Sequence, residues 1–389
     1  MYKILTLNSI SSKGLEKLPR SNYEAAPEVQ YPDAILLRSF NLHGVPIPDT
    51  VKAVGRAGAG VNNIPVADYS ERGIPVFNAP GANANAVKEL AIAGLFLAAR
   101  HIPAAWDFAR SLEGDDERIN QQVEKSKKHF CGFELAGKTL GVLGLGAVGV
   151  KVANAATALN MKVIGFDPML TLESAWQLSS SAIRAQSIDD LAAKSDFITL
   201  HVPLNEATRQ LMDASRLKIV RPGAILLNFS RAGVVDEAAV IEALDDGRLG
   251  AYVCDFPSSA TRNQPKAIVL PHLGASTGEA EDNCAAMVAE QVRDFLENGN
   301  IRNAVNFPDT FMPRNGGVRL GVANRNIPNM VGRISTALAE ANLNIASLIN
   351  KSRGEYAYTL IELETDIPPE TFERIRSVSG VLSARIIPA

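Results

Sequence analysis

The chain has 389 residues, 46% of them hydrophobic and 21% charged, with a net charge of −3. That size and apolar content suit two or three domains with their own cores, and so small a charge excludes a global field that draws the chain to nucleic acid or an anionic membrane. Cys131, Cys254 and Cys284 have no C-x-x-C spacing, which speaks against a disulfide framework or a zinc site, and with no signal-peptide core in Met1 to Leu7 and no membrane-length apolar run the expectation is a cytoplasmic enzyme.

Residues 3–8 read as a strand, followed by a short helix-like segment. Ala34 to Leu37 is a second apolar run, ending in Arg38-Ser39. Lys52 to Val54 is a third, ending in Gly55-Arg56-Ala57-Gly58-Ala59-Gly60. Pro75 to Phe77 is a fourth, ending in Asn78-Ala79-Pro80-Gly81. Strands alternating with helices predict a parallel sheet, whose polar carboxyl ends are where ligands bind. A long helix is expected over Asn85 to Ile102, and a solvated helix or arm over the charged stretch Arg110 to His129.

Thr139 to Leu143 reads as a buried strand that breaks at Gly144, with a helix-compatible run from Val148 to Leu159. Between them stands G-x-G-x-x-G: Gly144, Gly146 and Gly149. The first allows a tight turn, the second lets the backbone approach a pyrophosphate, and the third lets helix and strand pack closely. The helix N-terminus then offers N–H groups to phosphates. A second apolar strand, Lys162 to Phe166, ends in Asp167, eighteen residues after Gly149. A carboxylate there accepts from ribose hydroxyls and repels a 2′-phosphate, which favours NAD over NADP. The plainer alternative is an ordinary βαβ unit with a glycine-rich turn.

Further buried strands follow. Phe197 to Leu200 ends in His201-Val202-Pro203, and Ala224 to Phe229 ends in Ser230-Arg231. Tyr252 to Cys254 ends in Asp255, and Ile268 to Leu270 ends in Pro271-His272. This half has roughly six strands, as in a doubly wound sheet. Ser276-Thr277-Gly278-Glu279 is a capping-box pattern opening a helix to about Glu297. Residues 309–317 read as a linker. The tail, Val318 to Ala389, has the βαββαβ order of a ferredoxin-like domain.

The five histidines, His43, His101, His129, His201 and His272, have no companions at metal-ligand spacing, and no nucleophile motif occurs. What remains is a dinucleotide site with Arg231 and His272 at strand ends. Alone, each has a plain structural reading, Arg231 as a surface ion-pair partner and His272 as a structural histidine. Hydride removal from a 2-hydroxy acid needs a base for the hydroxyl proton and a cation for the carboxylate and carbonyl oxygens; histidine and arginine suit these tasks.

Asn228-Phe229-Ser230-Arg231-Ala232-Gly233-Val234-Val235-Asp236-Glu237 and Pro271-His272-Leu273-Gly274-Ala275-Ser276-Thr277 resemble signature segments of the D-isomer-specific 2-hydroxyacid dehydrogenases. Gly55 to Asn63 strengthens the likeness, and the tail resembles an ACT domain, so the resemblance covers the whole chain. It implies a Rossmann domain inserted in a flavodoxin-like substrate domain, with a ferredoxin-like domain at the C-terminus. The implied boundaries are 1–90 and 283–308 for the substrate domain, 91–282 for the NAD-binding domain, 309–317 for the linker and 318–389 for the ACT-like domain. The implied reaction passes a hydride from 3-phosphoglycerate to NAD, giving 3-phosphohydroxypyruvate, the first step toward L-serine.

The resemblance also implies roles. Arg231 polarises the substrate and His272 is the acid/base. Ala147 and Val148 cover the pyrophosphate, Asp167 the ribose and Asp255 the nicotinamide side, with Val202, Pro203, Phe229, Ser230, Gly274 and Ala275 completing the cofactor site. Ala57, Gly58, Ala59 and Gly60 offer backbone N–H groups to the substrate carboxylate, and Arg38, Arg56 and Asn83 line its anionic pocket. Asn324, Asn326 and Asn344 match an effector site for L-serine between two copies, in a homo-dimer or homo-tetramer. Two departures stand out. Ala260 occupies the place, five residues after Asp255, where the family usually carries a glutamate, so the histidine is expected to work without one. The segment Asn324 to Asn329 lacks the usual glycine after its proline. Two other readings compete: a non-enzymatic NAD sensor, which needs no anionic pocket, and a glyoxylate or hydroxypyruvate reductase, against which the tail argues.

Overall fold

Apolar runs that end in polar residues become strands of parallel sheets. The computed structural model describes all 389 residues, and the chain divides into two units, Met1–Asn83 with Gly278–Ala389, and Ala84–Thr277. In the first, β1 (Tyr2–Leu7), β2 (Tyr23–Ala26), β3 (Ala34–Leu37), β4 (Ala53–Arg56) and β5 (Val76–Phe77) form an all-parallel sheet in the order β2-β1-β3-β4-β5. β3 is buried along its whole length, as parallel strands covered on both faces are. One side of the sheet packs against the Gly278–Asn298 helix through Val288, Val292 and Phe295; the other holds Ile35, Leu37, Val54 and Val76.

The second unit carries β6 (Thr139–Leu143), β7 (Lys162–Phe166), β8 (Ile183–Arg184), β9 (Phe197–Leu200), β10 (Ala224–Asn228), β11 (Leu249–Cys254) and β12 (Ala267–Val269). All are parallel, in the order β12-β11-β10-β9-β6-β7-β8. The chain reverses its direction of travel between β6 and β9, which makes their carboxyl ends the switch point where ligands bind in doubly wound sheets. Apolar clusters lie on both faces, one around Leu143, Leu200 and Leu226, the other around Val142, Phe197 and Leu227.

The tail forms an antiparallel sheet, β13 (Val318–Arg325), β14 (Ile345–Arg353), β15 (Tyr356–Leu363) and β16 (Val381–Ile387), in the order β14-β15-β13-β16. With helices at Met330–Glu340 and Pro369–Arg376 it has the βαββαβ order. One sheet face packs on those helices through Leu320, Val322, Ile361 and Leu363. The other joins the core of its own unit, where Tyr358, Leu360 and Ile387 cluster with Phe77 and Phe295. Side chains of the tail and of the segment before it also cap the last carbonyls of the Gly278–Asn298 helix. Arg385 donates to Phe295 O and Leu296 O, Arg314 to Glu297 O, Arg319 to Asn298 O, and Tyr358 Oη to Gly299 O. Cations at a helix C-terminus satisfy orphan acceptors and oppose the negative dipole end. Arg319 is itself fully buried and paired with Glu362 at 2.8 Å. Within residues 309–317, Thr310 and Met312 are buried, and Thr310 pairs with Ile301 through two backbone bonds of 2.8 Å.

Three local expectations need correction. β2 and β8 carry no long apolar run, because both are edge strands, β2 with mixed exposure and β8 exposed throughout, so each parallel sheet has one strand more than the sequence displays. The helix expected over Asn85 to Ile102 ends at Ala99; His101 takes φ +50° and a second helix, Ile102–Arg110, starts with proline in its first turn. The later helix opens at Gly278, so Ser276 stands outside it and its hydroxyl turns back to His272 O, 3.5 Å away. The charged stretch holds the expected solvated helix, Asp116–Ser126, with no buried residue and Asp115 Oδ1 accepting from Arg118 N as its cap.

Candidate active site

The glycine turn is built as its spacing requires. Gly144 takes φ +90° and packs against the His201 carbonyl, where a Cβ has no room. A Cβ on Gly149 collides with Gly144 O, while the Cα of Gly146 faces open space. Ala147 and Val148 open the Ala147–Ala158 helix, with Gly146 as its N-cap. Asp167 follows β7 and closes the turn from beside: Oδ2 accepts from Leu145 N (2.8 Å) and Oδ1 from Met169 N (2.8 Å). Each carboxylate oxygen keeps a further lone pair for a hydroxyl.

At the end of β9, His201 Nε2 lies 2.9 Å from Thr199 Oγ1, and burial lowers its pKa to about 4, so this imidazole is neutral near pH 7. Val202 is half-buried and Pro203 exposed. At the end of β10 a buried amide organises the turn. Asn228 Oδ1 accepts from Ser230 N (3.2 Å) and Ser230 Oγ (2.9 Å), and Nδ2 donates to Arg231 O (3.0 Å). Phe229 is buried behind it, and Arg231 is exposed with its Nη1 on Ser230 O at 2.7 Å.

β11 delivers Asp255, which is fully buried. Its Oδ2 accepts from Gly274 N at 3.0 Å, and its Oδ1 has no partner. Burial raises its pKa, opposed by the Gly274 N–H and by the charges of His272 and Arg231. His272 has φ +55° and is pinned by its backbone N–H to Asp255 O and Leu270 O, both at 3.0 Å. Its ring is exposed and leans on Phe256, centroids 5.3 Å apart at 59°. Ala260 is exposed at the start of a short 3-10 turn, in a loop held by Ser258 Oγ to Glu237 Oε1 at 2.6 Å. Gly274 is buried and Ala275 half-buried.

In the other unit, Arg38 and Arg56 stand at neighbouring strand ends, because Leu37 pairs with Arg56. Arg38 Nη1 pairs with Glu281 at 2.6 Å. Arg56 Nε donates to Asn63 Oδ1 at 2.9 Å. The Cys284 thiol has its pKa raised by burial, opposed by the charges of both arginines. The Ala57 to Gly60 turn is only partly available. Ala57 N donates to Leu37 O and Gly58 N to Arg56 O, while Ala59 N and Gly60 N make no backbone bond. Asn78 Nδ2 fastens Ala59 O at 2.6 Å. Asn83 is half-buried at the end of this unit's first segment.

The tail asparagines do not meet within one chain. Asn324 is buried, with Nδ2 on Arg325 O and Oδ1 unpartnered. Asn326 Nδ2 holds Gly354 O at 3.0 Å. Asn344 is exposed just before β14, at its opposite end from Gly354. Sequence reasoning passed over Asn63, Asn78 and Asn228, which bind no ligand by motif but shape the turns that carry Arg56, Ala59 and Arg231.

The fold and the glycine turn define a dinucleotide-binding α/β protein. Residues 100–274 match the family described as D-isomer specific 2-hydroxyacid dehydrogenase, NAD binding domain. The chain is 32% identical over 348 residues to the D-3-phosphoglycerate dehydrogenase of Escherichia coli K12, covering 86% of this chain and 81% of that one. It is 37% identical over 330 residues to the D-3-phosphoglycerate dehydrogenase of Synechocystis, covering 79% of this chain but spanning only 56% of that relative's length. A solved NAD+-bound 3-phosphoglycerate dehydrogenase from Entamoeba histolytica is similar over 80% of this chain and 99% of its own, with a TM-score of 0.61 and 25% identity. The chain belongs to the D-isomer-specific 2-hydroxyacid dehydrogenase family. No helix is long and apolar enough to cross a membrane.

Proposed function

We propose that this chain oxidises 3-phospho-D-glycerate to 3-phosphohydroxypyruvate with NAD, the first step toward L-serine, as the names of its relatives suggest. The observation that carries the reading is the pair Arg38 and Arg56 at adjacent strand ends, two guanidiniums suited to an anion beyond the reacting carboxylate. NAD suits the other unit: the open Cα of Gly146 admits a pyrophosphate, the helix N-terminus after it attracts one, and the orphaned Oδ1 of buried Asp255 awaits a donor such as a carboxamide. Gly144, Gly146, Ala147, Val148 and Gly149 would hold the pyrophosphate and Asp167 the ribose. Val202, Pro203, Phe229, Ser230, Asp255, Gly274 and Ala275 would line the rest. Bound NAD supplies the hydride acceptor.

The chain's own groups do the remainder. Arg231 binds the substrate carboxylate and polarises the oxygen on C2. The His272 imidazole takes the C2 hydroxyl proton as the C2 hydrogen leaves with its electron pair, and in reduction returns that proton to the carbonyl oxygen. Its exposed ring exchanges the proton with solvent. Ala59 N and Gly60 N would bind the carboxylate, while Arg38, Arg56 and Asn83 bind the phosphate end. The proposed boundaries remain 1–90 with 283–308 for substrate, 91–282 for NAD, 309–317 for the connection and 318–389 for an ACT-like regulatory domain, in a cytoplasmic homo-dimer or homo-tetramer. Asn324 and Asn326 of one copy with Asn344 of a second would bind L-serine. The test is NADH consumption with 3-phosphohydroxypyruvate beside unphosphorylated hydroxypyruvate. The reading expects a strong preference for the former; an equal or reversed preference rejects it.

A further inference from the structure

We infer that Asn63 is a positioning residue that fixes Arg56 beside Arg38 and so sets the site's preference for a phosphorylated substrate. The inference rests on the reaction proposed above. It starts from one carboxamide with three partners. Asn63 Oδ1 accepts from Arg56 Nε at 2.9 Å, and Nδ2 donates to Phe40 O at 2.7 Å and Arg38 O at 3.2 Å. The orientation is not arbitrary. A flipped amide sets its oxygen against two carbonyls and its NH2 against an N–H donor, so the network admits one arrangement.

Each bond constrains the anion pocket. A bond at Nε fixes the plane of a guanidinium, which a contact at one terminal nitrogen does not. Here that plane lies back over the following turn, since a Cβ on Gly58 collides with Arg56 Nη1. The two Nδ2 bonds tie down the chain just after β3, where the Arg38 side chain departs toward Glu281. A half-buried amide therefore locks the backbone of one arginine and the side chain of the other. Leu37 and Arg56 are register partners, so the backbones of the two arginines are adjacent, and the Asn63 amide ties the Arg56 guanidinium to the Arg38 carbonyl. An arginine ordered before binding loses less entropy when a phosphate arrives. No other side chain supplies this set at that length: aspartate lacks the donors, and serine has a single hydroxyl.

The experiment compares the parent with Asn63→Ala and Asn63→Asp on 3-phosphohydroxypyruvate and hydroxypyruvate. In Asn63→Ala, KM for the phosphorylated acid rises about tenfold, kcat stays within about twofold, and KM for hydroxypyruvate and for NADH moves less than about twofold. Asn63→Asp keeps the Arg56 contact but sets a carboxylate against two carbonyls and neutralises the guanidinium, so it shows the same selective loss. Equal losses on both oxo acids overturn the inference, because a merely structural role harms both alike. An independent readout is the 15N resonance of Arg56 Nε–H, identified by its loss in Arg56→Lys. Inorganic phosphate shifts it in the parent and not in Asn63→Ala. If the parent reduces neither oxo acid, the proposed reaction falls, and phosphate titration alone decides this inference: an unchanged response in Asn63→Ala overturns it.

Discussion

The two pairs of candidate site residues in this chain are held in opposite ways. Arg38 and Arg56 are tied by side-chain partners, Glu281 and Asn63. Arg231 and His272 are exposed and carried by their backbones, through the Asn228 amide and the Asp255 carbonyl, with Arg231 folded onto its own neighbour's carbonyl and the imidazole making no hydrogen bond. The contrast teaches a division of labour. A binding cation gains from being ordered in advance, while a group that moves a proton needs a fixed root and an uncommitted tip.

Substitutions separate the two kinds, beginning with the largest effect. Arg231→Lys keeps the charge and loses the fork, and kcat/KM falls about 100-fold or more, with the melting temperature unchanged because the side chain is exposed. A loss under about threefold in steady-state kinetics removes Arg231 from the chemistry. His201, a histidine of the same unit, is half-buried against Thr199, and desolvation lowers its pKa to about 4. Its contribution to stability is full above the unfolded value near 6.5 and declines as pH falls toward 4. Between pH 7 and 5 that term costs about 1–2 kcal/mol. His201→Gln keeps a partner for Thr199 and flattens the decline in denaturant titrations; an identical slope in parent and variant contradicts this assignment.

The cofactor end gives a smaller shift. The parent prefers NAD(H), and Asp167→Asn raises kcat/KM with NADPH relative to NADH by about tenfold, since the charge that repels a 2′-phosphate is gone. An unchanged ratio means Asp167 serves only the Leu145 and Met169 N–H groups. Smallest is Ala260→Glu. A carboxylate reaching His272 favours its protonated form, so the alkaline limb of the pH profile for reduction moves upward. Superimposable profiles mean that the loop held by Ser258 and Glu237 does not reach the ring.

Much of this was legible in the sequence because parallel strands announce themselves as apolar runs, and their polar ends mark ligand positions. Gly144, Asp167, Asp255 and His272 all fall at such ends. Two edge strands escaped, since Tyr23–Ala26 is interrupted by exposed Glu24 and the two residues of Ile183–Arg184 are both exposed. The break at His101 escaped too, because its left-handed backbone has no compositional cue beyond Pro103. Asn63 and Asn228 were invisible as positioning groups for a deeper reason: an amide's role depends on which carbonyls arrive beside it, and those come from other strand ends.

The most direct test of the account is the ratio of kcat/KM for 3-phosphohydroxypyruvate to that for hydroxypyruvate, measured in the parent and in Arg56→Gln. The account predicts a large ratio in the parent that collapses by about tenfold or more in the variant through KM for the phosphorylated acid, with hydroxypyruvate turnover nearly unchanged. A variant that keeps the parent's ratio contradicts the claim that the paired arginines recognise the substrate phosphate.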